Sequence, residues 1–411
     1  MKPARGTHIR ILFDYQAFAM QSHGGISRCF AELYKNLPDN VDAKIAINET
    51  DNVYLREIGI GRPRKHDIEN FVVPFHFPMK GRLFSVYNHF FNGLPYQSDN
   101  HLYFLSNEYQ KMQSIKVLKK GKFDVFHPTY FDDYFLPYLN GRPFVLTIHD
   151  MIPFIYRSLN INDWEWQISK ITKLVSKASA IIAVSKQTKN DIVSILHMPE
   201  EKVHVIYHGS EHLSAPSPDV VNNSKFQDFS PYLLYVGERG YYKNFNLFVK
   251  EVAKVLMVHQ EIKVICTGKP FNEDELRQMD SFGVRERFVH YWVSTNEEFY
   301  QLYHDAVCFV YPSEYEGFGI PILEAYKANC PVMLNNASCF PEVADDAAIF
   351  FDMKPSESNF QQQFEKLYTM SEKEREMLLI KQQNQLKRYS WKKTAVQLTN
   401  VYQSVLLSIL S

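Results

Sequence analysis

Short apolar, β-branched runs alternate with helical patterns through most of this 411-residue chain, and the alternation stops once and then restarts. A chain built this way folds as repeated βα units whose strands pair in parallel, so the fold class is α/β. Before the interruption the strand candidates are His8 to Tyr15, Ala43 to Asn48, Phe123 to His127, Phe144 to His149, Ala180 to Ser185 and Val203 to Tyr207. Helical periodicity runs from Ile26 to Leu37, Asp163 to Lys177 and Lys186 to Leu196. Between His212 and Phe229, Pro216, Pro218, Asn222, Asn223 and Ser224 break every pattern. Strands then resume at Tyr232 to Val236, Ile262 to Thr267, Phe288 to Trp292, Val307 to Tyr311, Val332 to Leu334 and Ile349 to Phe351. The length exceeds one ordinary core, and the pattern predicts two doubly wound domains, 1–212 and 230–390, joined by a linker at 213–229. The tail, 391–411, reads as an amphipathic helix able to pack back on the first domain, with Trp391, Ala395, Leu398, Val401, Val405 and Leu406 on or near one face. The stretch from Phe71 to Leu105 has weak periodicity and fits no element.

A net charge of −1 leaves no global field to recruit nucleic acid. The five cysteines are scattered, mostly inside apolar runs, and include no Cys-x-x-Cys pair, which suits reduced core residues of a cytoplasmic protein. No stretch reaches the eighteen apolar residues that span a bilayer, so any membrane contact is peripheral. Five lysines and no acid between Lys111 and Lys122, with Arg62, Arg64 and Lys65 as a second patch, are compatible with anionic headgroups or with a plain solvated surface.

The segment Pro312-Ser313-Glu314-Tyr315-Glu316-Gly317-Phe318-Gly319-Ile320-Pro321-Ile322-Leu323-Glu324-Ala325 carries the sharpest chemistry. It follows a buried-strand pattern, turns on Gly317 and Gly319, and opens a helix with Pro321 in its first turn. Helix-start amides there can meet an anion such as a phosphate. Glu316 and Glu324 would repel that anion unless they accept from hydroxyl groups. A sugar attached to a nucleoside diphosphate carries both kinds of group.

Other strand ends add to this. Gly24 and Gly25 open a helix after the first strand and allow close approach of main chain to a diphosphate, although no Gly-x-Gly-x-x-Gly fingerprint is present. Gly237, Arg239 and Lys243 lie in the loop after the first strand of the second half, where two cations could neutralise a leaving diphosphate. His149 with Asp150, and more weakly His127, stand at strand ends suited to sugar or acceptor hydroxyls. Ser185 reads as a helix cap. Neither histidine has metal-ligand spacing.

Together these segments resemble the family 4 (group 1) glycosyltransferases, retaining enzymes of the GT-B fold, over nearly the whole chain. The anchor is the E-x7-E motif, matched by Glu316 and Glu324 with Gly317, Phe318, Gly319, Pro321 and Ala325 in place. Gly24-Gly25-Ile26, His149-Asp150, Val184-Ser185, Gly237, Arg239, Lys243-Asn244 and Pro341-Glu342-Val343-Ala344 support it. The resemblance implies two Rossmann-like domains facing across a cleft, the first on the acceptor side and the second binding a nucleotide-diphosphate sugar. It implies that Arg239 and Lys243 bind the diphosphate and that Glu324 takes the ribose hydroxyls. Glu316 and the amides of Gly317, Phe318 and Gly319 hold the transferred sugar or its phosphate, while Gly25 approaches from the other domain. Gly24, His127, His149 and Asp150 lie toward the acceptor, with His149 near the transferred sugar. Catalytic roles fall on Glu316, His149, Arg239 and Lys243. No metal or other cofactor is expected.

Tyr242 stands where many members have arginine, and Asn329 where glycine is common; neither change removes a catalytic group. The His149-Asp150 context is most similar to mannosyl and rhamnosyl transferases of surface polysaccharide assembly, which implies a glycan or lipid-linked oligosaccharide as acceptor; the expected location is cytoplasmic, with peripheral contact at the inner face of the membrane left open. Two alternatives stay open: a sugar-nucleotide epimerase or hydrolase on the same fold, which would release epimer or free sugar, and a non-catalytic binding protein, which would tolerate loss of the charged residues.

Overall fold

In a computed structural model of the chain, the described residues are 8–20, 22–62, 98–159, 161, 163–210, 213, 215–217, 224–354 and 356–410. Arg64, Lys65 and residues 71–97 of the unassigned stretch lie outside them. Its last residues begin a helix, Ser98–Lys120. Within the lysine run of that helix, Lys111 pairs with Asp132 at 3.1 Å and Lys119 lies 5.3 Å from the ring of Tyr138, so both are used against the body of the protein.

Among the described residues, twelve parallel strands form, most of them at the apolar runs. In the first half they are β1 (Ile9–Phe13), β2 (Val41–Ile45), β3 (Val125–His127), β4 (Val145–Ile148), β5 (Ala180–Ala183) and β6 (Val203–Val205). They form two ladders, β2-β1-β3 and β4-β5-β6. A parallel bridge between Phe126 and Phe144 lays β3 beside β4, giving one layer in the order 2-1-3-4-5-6. β2 is displaced from the expected run, starting at Val41: Asp42 and Lys44 alternate outward on an edge strand, while the apolar residues Ala46 and Ile47 are buried in the loop beyond it.

The second half carries β7 (Tyr232–Tyr235), β8 (Lys263–Cys266), β9 (Phe288–His290), β10 (Cys308–Tyr311), β11 (Val332–Asn335) and β12 (Ile349–Phe351), in the order 12-11-10-7-8-9. Successive residues feed opposite faces, as a strand buried on both sides requires. Tyr232 and Leu234 of β7 join one apolar cluster, whereas Leu233 and Tyr235 join the other. Residues Leu213 and Phe226, in the segment between the halves, are buried in the first of these clusters, where Phe226 packs edge-on against Tyr291 at 4.9 Å.

The closing helix, Trp391–Leu410, buries Trp391, Ala395, Leu398, Val401, Tyr402 and Val405 in the core of the first half. The chain therefore crosses between the halves twice. At the crossing Gly209 faces Trp391 so closely that a Cβ there would lie 2.2 Å from the Trp391 amide nitrogen. Among the described residues no helix is long and apolar enough to cross a membrane.

In both sheets the strand order reverses once, between β1 and β3 and between β7 and β10. Ligands of open α/β sheets bind beyond the carboxyl ends of the strands at that reversal. The loops following β1, β3, β7 and β10 hold Gly24-Gly25, the segment after His127, Gly237 to Lys243, and Glu316 to Gly319.

Candidate active site

The loop after β10 and the loop after β7 meet through one ion pair. Lys243 Nζ donates to Glu316 Oε1 at 2.6 Å, with the ammonium between the rings of Tyr242 and Tyr311 at 5.2 and 5.8 Å. Glu316 is also held by its backbone: its amide donates to Ser338 Oγ at 3.1 Å and its carbonyl accepts from the same hydroxyl at 2.8 Å. Gly319, at φ +87°, is the N-cap of the helix Ile320–Lys327. Only a residue tolerant of that left-handed region turns the chain so tightly into the helix. Phe318 turns its ring away from this helix start and packs against His208, Tyr207 and Tyr389.

From the first half, the backbone of His149 abuts Gly317. A Cβ on Gly317 would lie 1.7 Å from the His149 carbonyl oxygen. His149 stacks on His208 at 5.6 Å, and its Nε2 is buried with no hydrogen-bond partner among the described residues. Burial pushes its pKa down to about 4, so the ring is neutral at physiological pH. Asp150 accepts from the amide of Ile152 at 3.0 Å. Gly24 caps the helix Gly25–Lys35 in extended backbone, and Gly25 has open space where a Cβ would be, as does Gly237.

Two of the expected site residues are committed to protein partners. Arg239 is turned inward. Its guanidinium donates to Glu275 Oε1 at 3.0 Å, to the carbonyls of Thr267 and Pro270 at 3.0 and 2.9 Å, and to that of Lys269, and it lies over Phe271 at 4.9 Å. Glu275 is itself half of a capping box with Asn272, so the arginine is tied to a helix start. His127 is likewise committed: Nδ1 pairs with Tyr402 Oη at 2.6 Å and Nε2 with Thr147 Oγ1 at 2.9 Å. It is fully buried, and desolvation drives its pKa down to about 3. It fastens the closing helix to β3 and β4 and offers no ring nitrogen to an acceptor.

Sequence reasoning missed several residues that join the halves. Glu342 accepts from the amides of Lys186 and Gln187 and, at 2.7 Å, from Tyr207 Oη. Tyr315 Oη donates to Asp191 at 2.6 Å, and Thr188 Oγ1 donates to the Gly317 carbonyl at 3.3 Å. Tyr156 lies 5.6 Å from Tyr242 and donates to Glu314 at 3.4 Å. Arg28 also went unread. From the first turn of its helix it reaches Glu324 Oε1 at 3.7 Å, while Tyr303 Oη donates to the other oxygen at 3.1 Å. Arg28 lines a cleft of about 470 Å³ together with Tyr54 and Glu57 from the first half and Thr267, Gly268, Trp292 and Ser294 from the second. The spacing Gly25-x-x-Arg28 was the available signal, since residues three apart share a helix face.

The acids carry unequal environments. Burial, with Glu316 as a like-charged neighbour, raises the Asp150 pKa to about 6 against the counteracting Lys243 charge. A raised carboxyl pKa means the folded state binds the proton more tightly than the unfolded chain does. Stability from this group is present at low pH and is lost as pH rises from about 4 to 6. Asp150→Asn mimics the protonated form, so it should melt above wild type at pH 7 and 8, with the difference shrinking below pH 6 and vanishing near pH 4. A constant difference across that range in thermal melts would refute the assignment of the titration to Asp150.

The site's loops match known sequence families. The model for "Glycosyl transferases group 1" covers residues 218–384, and that for "Glycosyltransferase Family 4" covers 23–211. Among curated relatives, the O-antigen chain mannosyltransferase B of Escherichia coli is 26% identical over 279 residues, 66% of this chain and 72% of that protein. The O-antigen chain mannosyltransferase RfbU of Salmonella typhimurium is 26% identical over 218 residues, 52% of this chain and 58% of RfbU. Among solved structures, Anabaena HepE in complex with UDP and glucose superposes with a TM-score of 0.65 at 16% identity, covering 97% of this chain and 100% of that one. The chain is a glycosyltransferase of the GT-B fold and belongs to the group 1, family 4 glycosyltransferases.

Proposed function

We propose that the protein transfers a mannose-like hexose from a nucleotide-diphosphate sugar to a hydroxyl of a glycan or lipid-linked oligosaccharide, with retention at the anomeric carbon. The observation that carries this reading is the 2.6 Å Lys243–Glu316 pair, set at the β7/β10 reversal and backed directly by His149 of the opposite half. Relatives named as O-antigen mannosyltransferases support the sugar and the acceptor class, and the UDP and glucose bound to HepE support a nucleotide-sugar donor.

In the proposed reaction the bond from the anomeric carbon to the distal phosphate oxygen breaks and a bond from that carbon to the acceptor oxygen forms on the same face. The acceptor hydroxyl passes its proton to the departing phosphate oxygen. Negative charge grows on the diphosphate, and Lys243 together with the amides at the start of Ile320–Lys327 opposes it. Glu316 is left to accept from sugar hydroxyls, and Glu324 from the ribose. His149, neutral, can hydrogen-bond a sugar hydroxyl without adding charge beside the cationic ring. The contacts of Tyr315, Thr188 and Glu342 hold the halves together so that water does not replace the acceptor. Neutralisation falls to protein groups in this scheme, so a chelator should leave the rate unchanged.

The test is a panel of GDP-, UDP- and dTDP-linked hexoses offered with acceptor oligosaccharides in the presence of EDTA, with the product's anomeric configuration read by NMR. Transfer with the donor's configuration kept is expected. An inverted product, or free sugar as the main product with every acceptor, would overturn the reading.

A further inference from the structure

With Arg239 committed to Glu275 and to carbonyls, Lys243 is the cation that its loop keeps for a diphosphate in the proposed scheme. From the first half, Arg28 lines the cleft that runs between Tyr54 and Gly268. Its guanidinium lies 3.7 Å from Glu324 Oε1 and 5.4 Å from the centre of the Tyr54 ring, with its side chain 18% exposed. At 3.7 Å it makes a charge contact with Glu324, longer than the two-pronged geometry that guanidinium groups adopt with carboxylate or phosphate. Glu324 is meanwhile anchored on its other oxygen by Tyr303. The arginine thus comes from one half of the molecule and the carboxylate from the other; Arg28 lines the cleft and Glu324 is buried behind it.

We propose that Arg28 is a diphosphate-binding residue whose charge Glu324 occupies until the donor arrives. The donor exchanges the two partners: its ribose hydroxyls donate to Glu324, and its phosphate oxygens accept from Arg28. Each charged group trades its long contact with the other for hydrogen bonds with a group of the right polarity, while Tyr303 and the Tyr54 ring stay in place. Because Arg28 rides on the helix that begins at Gly25, the exchange draws that helix onto the diphosphate and ties donor binding to the pairing of the halves. The Tyr54 ring face keeps the guanidinium aimed into the cleft through the change. This rests on the nucleotide-sugar reading given above.

Inorganic pyrophosphate isolates the exchange, since it has neither base nor ribose. By isothermal titration calorimetry, Arg28→Gln should weaken pyrophosphate binding by about 10- to 100-fold, the loss of charge-assisted hydrogen bonds. Glu324→Gln should move the opposite way and strengthen it, because the competing carboxylate is gone. With GDP or UDP, whichever binds, Arg28→Gln should lose a similar factor, and Glu324→Gln should lose affinity through the ribose. Arg28→Lys keeps the charge without the planar fork and should fall between wild type and Arg28→Gln; it also serves if Arg28→Gln fails to fold. Pyrophosphate binding unchanged in Arg28→Gln, or weakened in Glu324→Gln, would overturn the exchange. Failure of the donor reading is seen separately, as absence of turnover with every nucleotide sugar, whatever the pyrophosphate titrations show.

Discussion

Replacing Lys243 with alanine should lower kcat/KM for sugar transfer by about 10²- to 10³-fold, the range expected when one preorganised group opposing transition-state charge is removed. The ammonium sits 2.6 Å from Glu316 and is only 19% exposed, so it acts in a site where water screens it weakly. The substitution has a second consequence. Glu316, 10% exposed, keeps its backbone contacts to Ser338 but loses the cation that balances its charge. Stability should fall by about 1–3 kcal/mol as that carboxylate is stranded. Adding Glu316→Gln to Lys243→Ala removes the stranded charge, so the double variant should recover melting temperature without recovering transfer. Steady-state kinetics beside thermal melts separate the two effects. Near wild-type transfer by a folded Lys243→Ala protein would sink the assignment of Lys243 to the diphosphate.

The strands and the positions of the loops were legible because they are local. A strand buried on both faces, such as β7 or β10, needs a continuous apolar run, and a turn like that at Gly319 needs glycine; both facts are written in consecutive residues. The partners of Arg239 were hidden for the opposite reason. A cation in a glycine-bounded loop looks the same whether it faces ligand or folds inward, and the deciding partner is Glu275, 36 residues on. The capping pattern Asn272-x-x-Glu275 was visible, but the pairing across to Arg239 exists only once β7 and β8 lie side by side. His127 followed the same course, since its partner Tyr402 is 275 residues away on the closing helix. Arg28 was passed over in the other direction: on a helix face it reads as an ordinary solvated charge, and only the approach of Glu324 from the second half gives it a task.

The contact at Gly317 yields the second large effect. Gly317→Ala places a methyl group where the His149 carbonyl oxygen stands, with that carbonyl's carbon at 2.8 Å and the Asp150 Cβ at 3.1 Å. Two of these three atoms are backbone, and His149 follows directly on β4, whose ladder with β5 fixes its position. No rotamer change can relieve such an overlap. The loop after β10 must therefore lift off the first half, carrying Glu316 away from His149 and weakening the Thr188 contact to the Gly317 carbonyl. Each sheet keeps its own core, so both halves stay folded, with a loss of stability in the range of about 1–3 kcal/mol that overpacking brings. Activity should suffer more: a displacement of about 1 Å between reacting groups costs on the order of 10²-fold. The loss should appear in both kcat and KM, because in the proposed scheme lifting the loop also draws Glu324 and the helix start at Gly319 away from Arg28 of the first half. Small-angle scattering should show the variant with a larger radius of gyration than wild type. A Gly317→Ala protein with wild-type kcat and an unchanged scattering profile would mean that the contact between Gly317 and His149 is not what brings the donor and acceptor sides together.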